Sequence, residues 1–133
     1  MIEVQLTKLN YQPGEAIEGK FVWKQIGKGI RFDIRLIWFT EGKGTRDHQT
    51  IQQQRIEPKE VDGSKSFRFV APEWPHSFSG QFISLRWAIE AVELSSEEAT
   101  TVILVIAPEG QEIVLPTLEE ASSLTKPIEG LLR

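Results

Sequence analysis

Residues 72–92, PEWPHSFSGQFISLRWAIEAV, decide the fold. The stretch begins as a turn rich in proline and glycine and then alternates, placing Ile83, Leu85, Trp87, Ile89 and Ala91 on one face and Phe82, Ser84, Arg86, Ala88 and Glu90 on the other. Successive side chains of a strand point to opposite faces, so this spacing predicts a strand with one face in a core.

Working back towards the N-terminus, Phe67 and Phe69 alternate in a short strand that stops at Pro72, behind an Asp62-Gly63 turn signal. Asp47 to Ile56 is polar on both faces and carries three glutamines at 52–54, the composition of an edge strand that must not be sticky. From Ile30 to Thr40, Phe32, Ile34, Leu36 and Trp38 share one face, while the opposite face runs Arg31, Asp33, Arg35 and ends in Ile37 and Phe39. Asp33 between two arginines predicts a charge ladder with neighbouring strands rather than an anion site. Ile17, Gly19, Phe21 and Trp23 form another apolar face, with Gly19 predicting a bulge or a close approach by another backbone. Ile2, Val4 and Leu6 open the chain as a strand. Between these two, Pro13 and Gly14 predict a type II turn, proline presetting φ and glycine supplying the positive φ that follows.

Working forward, an acidic loop at 93–98 leads to Thr100–Ala107, which is apolar on both faces: Val102, Leu104 and Ile106 on one, Ile103 and Val105 on the other. Such a strand needs cover on its second face. A turn at Pro108-Glu109-Gly110 predicts a short hairpin return over 112–115. Residues 1–116 are therefore expected to be one antiparallel β-sandwich of seven or eight strands, and 117–133 a C-terminal tail whose Thr117-Leu118-Glu119-Glu120 has the form of a helix capping box.

Composition excludes several functions. The 133 residues carry a net charge of -4 and no clustered basic surface, against nucleic-acid binding. Without cysteine there is no disulfide, thiolate metal site or cysteine nucleophile. Neither a signal peptide nor an apolar run long enough to span a bilayer is visible, so a cytoplasmic protein is expected. His48 and His76 stand alone, Ser77 has no base in reach along an extended chain, and Gly42-Lys43-Gly44-Thr45 lacks the helix of a phosphate loop. No catalytic residue, metal site or cofactor is expected. Trp23, Trp38 and Trp87 fall in phase with core faces, whereas Trp74 lies in the proline turn; it is the one candidate for an exposed aromatic contact, although burial under the turn is the expectation, with a trans bond to Pro75 as the default.

Two motifs then carry a resemblance. Tyr11-x-Pro13-Gly14-Glu15-x-Ile17-x-Gly19, and Phe67-x-Phe69 to Pro72 followed by Pro75-x-Ser77-Phe78-x-Gly80 and the strand of Ile83, Leu85 and Trp87, resemble the arrestin-like family, which includes arrestins, trafficking adaptors, a retromer subunit and bacterial sporulation-control proteins. The resemblance implies an arrestin-like, immunoglobulin-like sandwich acting as a non-catalytic protein-interaction or scaffolding module, here as one sandwich where most relatives carry two. The phosphate-sensing lysines of arrestins have no counterpart on the first strand, which carries Glu3 and only Lys8 near its end. A prokaryotic protein is expected. Trp74, Ile37, Phe39, Ile103 and Val105 are the candidate partner-binding residues, and the cover of the second apolar face is expected to be either a second copy of the chain in a homodimer or the tail itself. A small-ligand or carbohydrate-binding sandwich using Trp74 is the alternative.

Overall fold

The computed structural model describes residues 1–42 and 47–115. Ten strands are described: β1 Ile2–Leu6, β2 Asn10–Tyr11, β3 Ala16–Trp23, β4 Phe32–Gly42, β5 His48–Ile56, β6 Gly63–Val70, β7 Phe78–Ser79, β8 Ile83–Glu93, β9 Ala99–Ile106 and β10 Ile113–Val114. A 3-10 turn at Pro108–Gly110 is the only helical piece among the described residues. The tail 117–133, with the capping-box residues read above, and most of the glycine-rich stretch 42–45 lie outside them.

The strands form two sheets. The small one has the order β1-β3-β6. In the large one β4 and β8 are central, β5 lies outside β4, and the far side of β8 is shared, β7 then β10 flanking its first residues and β9 its later ones. Long apolar side chains meet between the sheets: Ile17 and Phe21 from β3, Phe32, Ile34 and Leu36 from β4, Trp87 and Ile89 from β8, Leu104 and Ile106 from β9. The alternation of period two therefore did what it predicts, since Trp87, Ile89 and Ala91 are fully buried. Its first member, Ile83, sits past the end of the core and is 42 % exposed, and Ala88, assigned to the outer face, is covered completely.

Several expectations are corrected. The sandwich is not purely antiparallel, because β2 pairs parallel with β9, and β10 pairs parallel with β7 instead of returning along β9 as a hairpin. Three of the ten strands have only two residues, too few for any periodicity to announce them. The polar strand β5 does take an edge, yet its Ile56 is 1 % exposed in the core, and an extra residue, Ile51, is inserted where the register with β4 shifts between Leu36 and Ile37. Gly19 lies in unbroken register, so the close approach, not the bulge, explains it: a Cβ there would stand 2.6 Å from the Gln5 carbonyl and 2.6 Å from the Phe67 ring. Gly14 has φ of 85°, with the Glu15 amide donating to the Gln12 carbonyl, as the type II turn requires.

The sheets are joined along both sides. On one side the chain crosses from β1, in the small sheet, to β2, in the large one; the Val105 amide donates to the Leu9 carbonyl and the Ala107 amide to the Tyr11 carbonyl. On the other side Gln52 of β5 donates to the Val70 carbonyl of β6 at 2.7 Å and accepts from the Val70 amide at 3.3 Å, so one side-chain amide takes the place of a strand partner. Residues 71–77 close one end. The indole of Trp87 donates to the Pro75 carbonyl, and the Trp74-Pro75 bond is cis.

Candidate functional site

Four of the five candidate residues come together on the outer face of the large sheet, because β4, β8 and β9 lie side by side there. Ile37 stands opposite Ala88, which stands opposite Ile103, making an apolar row across three strands. Phe39 neighbours this row on β4, opposite Arg86 of β8, and Val105 follows Ile103 by two residues on the same face of β9. Ile103 is 46 % exposed and Phe39 and Val105 are half-buried; Ile37 is a correction, since at 7 % exposure it forms the floor of the face and not its contact surface.

Charges bracket the row. On one side Arg35 lies across from Glu90, 3.8 Å away, and also reaches Asp33 at 3.4 Å. Asp33 accepts from Arg55 at 3.1 Å as well, so the expected ladder exists and keeps a nearly buried carboxylate doubly paired. The Nε of Arg35 is buried and has no acceptor among the described residues. On the other side Arg86 lies 3.1 Å from Glu41 and 3.8 Å from Glu112. A groove of about 430 Å³ runs over Ile37 and Phe39 to His48 and Thr50 of β5. The face therefore has an apolar centre and a charged rim. Ile37, Phe39 and Ala88 lie on the central strands β4 and β8 and are paired on both sides, whereas Ile103 is paired with β8 alone and Val105 with β2 alone.

Trp74 is separate from this face. Contrary to the expected burial, it is 74 % exposed, standing 5.1 Å edge-on to His76, whose ring nitrogen lies 3.0 Å from the Glu73 carbonyl. The loop beneath it is anchored by Ser77, whose amide donates to the Ile106 carbonyl and whose hydroxyl accepts from the Ile106 amide. Elsewhere a hollow of about 770 Å³ opens at Gly19 on the small sheet between Leu6 and Phe67, with Lys20, Arg68 and Glu18 at its margin.

Two carboxylates have shifted acidity. Hydrogen bonds from Ser95 and Ser96 lower Glu93 to about 2, and Lys8, helped by the Gln12 amide, lowers Glu15. Both are solvated turn residues that order loops. Among the described residues no cluster of three or more His, Asp or Glu could hold a metal ion, and no helix is long and apolar enough to cross a membrane. Arg86, Ala88 and Glu90 were placed on this face by their alternation but were not among the candidate residues; that alternation, set beside the apolar outer face of β9, was the available signal.

No family model matches the chain, and neither does any curated protein. Among solved structures, the fold is similar to that of Spo0M, a sporulation control protein from Bacillus subtilis, with a TM-score of 0.55 and 20 % identity over 80 % of this chain. The match covers 48 % of that protein, so this chain spans about half its length. At this identity the likeness establishes the fold, and it is the fold expected from the two motifs. A β-glucosidase from Listeria innocua in complex with gluconolactone aligns with 86 % of this chain and 16 % of its own, at 13 % identity and a TM-score of 0.47, too slight to carry an argument.

Proposed function

We propose that this protein is a non-catalytic interaction module of arrestin-like type that binds a protein partner through the outer face of β4, β8 and β9. The observation that carries the reading is the apolar row Ile37, Ala88, Ile103 with Phe39 and Val105 beside it, bracketed by ion pairs on adjacent strands. Such a face supplies apolar contact at low entropic cost, while the flanking charges select the partner.

Ile103→Asp tests it. The substitution puts a charge at the most exposed point of the row and touches nothing in the core between the sheets. Tagged wild-type and Ile103→Asp chains would be used for affinity capture from the native host, with mass spectrometry of the retained proteins. A protein retained by the wild type alone, and then shown to bind the purified chain, supports the reading; identical sets from both chains overturn it.

Trp74 favours a second reading, a carbohydrate or small-ligand site, because a large aromatic ring is held 74 % exposed on an anchored loop. Titration with a panel of sugars, followed by tryptophan fluorescence of wild type against Trp74→Ala, decides it. Saturable quenching lost in the variant is the expected result; an unchanged spectrum rejects the site.

A further inference from the structure

We infer that the partner on this face is a second copy of the same chain, related by a two-fold axis that runs across the strands along the row Ile37, Ala88, Ile103. The inference rests on the reading of the face as an interaction surface and specifies its occupant. Its argument is charge complementarity.

On β8, Arg86 and Glu90 lie two residues to either side of Ala88, both on the outer face. A two-fold axis in the plane of contact and perpendicular to the strands leaves each strand over its own copy and exchanges the two sides of the row. Arg86 then faces Glu90 of the second chain, and Glu90 faces its Arg86, giving two opposite-charge contacts around an apolar centre. The same operation sets Phe39 over Arg35 of the other copy, a guanidinium whose Nε finds no acceptor among the described residues, and so brings a cation to an aromatic ring. Ile103 meets Ile103, and Val105 meets Thr101. The alternative axis, along the strands, superposes Arg86 on Arg86 and Glu90 on Glu90, and like charges reject it.

Strand directions cross nearly aligned in this arrangement, as in sheets packed face to face at about 10 Å. Four strands at about 4.8 Å and the 8 residues of β9 at about 3.3 Å span roughly 19 by 26 Å, a footprint of about 500 Å² that places the contact at the small end of specific interfaces.

The test uses the full 133-residue chain in sedimentation velocity between about 1 and 100 μM, with thermal melting to confirm that each variant is folded. The wild type is expected to pass from 15.1 kDa to twice that mass. Glu90→Arg alone sets the introduced guanidinium against Arg86 of the other copy twice, and Arg86→Glu alone sets the introduced carboxylate against Glu90 in the same way; each is expected to weaken self-association at least about tenfold. Mixing the two variants restores opposite charges at every contact and is expected to recover the dimer, a result that a dimer formed elsewhere on the molecule does not give.

Because the chain has no native cysteine, a second measurement is available if a charge variant fails to fold. Ile103→Cys is expected to be joined to its own copy by a short bismaleimide, and Thr101→Cys, whose copy is displaced along the strand, is not. A wild type that stays monomeric at 100 μM overturns the inference, as does a dimer indifferent to both charge variants or one joined equally well through position 101. In the monomeric case, loss of a captured protein by Ile103→Asp leaves the interaction reading standing, and no loss removes both.

Discussion

At one seam between the sheets the chain itself crosses over, β2 lying parallel to β9; at the other, β5 and β6 are joined through the side chain of Gln52. The first seam is made of main-chain hydrogen bonds, which any residue but proline can supply, and so it is guarded by packing: Tyr11 is fully buried and its hydroxyl donates to the Lys8 carbonyl at 2.8 Å. Where β9 runs past the end of its pairing with β8, Ser77 takes up the Ile106 amide and carbonyl. The second seam is solvent-exposed and depends on one amide group that must present its donor and its acceptor in the right order. Closure by backbone is insensitive to sequence and hard to remove; closure by a side chain is specific and can be opened by one substitution.

Breaking the backbone seam through its packing has the largest expected effect. Tyr11→Ala removes a fully buried aromatic and should cost about 3 to 5 kcal/mol, read as a lower urea midpoint with little change in slope. Ser77→Ala leaves the Ile106 amide buried without an acceptor, and a loss of about 1 to 3 kcal/mol is expected, with faster hydrogen exchange at Ile106. Gln52→Ala opens the other seam, where water can replace the lost partner. About 1 kcal/mol or less is expected, with the Val70 amide losing protection while Ile106 keeps its own.

The smallest effect sharpens the comparison at the far end of β9, where the turn from β8 is ordered by Glu93. Its folded value of about 2 lies below the ordinary 4.5, so its contribution is complete above pH 4.5 and is lost as pH falls towards 2. The amide resonances of Ser95 and Ser96 should therefore titrate with a midpoint near pH 2, and Glu93→Gln should abolish that titration without moving the exchange rates at either seam.

How much of this was legible follows from the same contrast. The alternating strands β3, β4 and β8 could be read because one face of each is apolar, and the two-faced composition of β9 announced an apolar outer surface. The backbone seam could not be read, since a two-residue parallel strand carries no period, and hydrogen bonds from the main chain leave no mark in the side chains. Gln52 was visible only as one of three glutamines on a polar strand; which of them faces Val70 depends on the bulge at Ile51, a register event with no sequence signature there. Trp74 was misjudged because the direction of a loop side chain is set by how the loop is anchored, here through Pro75 and Ser77, and not by spacing. On the outer face, the alternation of β4 and β9 was enough to place Ile37, Phe39, Ile103 and Val105 on one side of the sheet, but it carried no sign that Ile37 is buried there.

One consequence of the pairing of β9 concerns the order of events during folding. Its partner on one side, β8, ends only a few residues earlier in the chain, whereas its partner on the other, β2, lies more than ninety residues upstream, Asn10 meeting Val105. Local pairings form quickly and distant ones slowly. The segment TTVILVIA, uncharged and rich in β-branched residues, therefore spends the interval as an open sheet margin, the kind that recruits other chains. The two-residue strand β2 closes the end of this margin, at Val105 and Ile106, and its arrival time sets how long that part of the folding chain stays open.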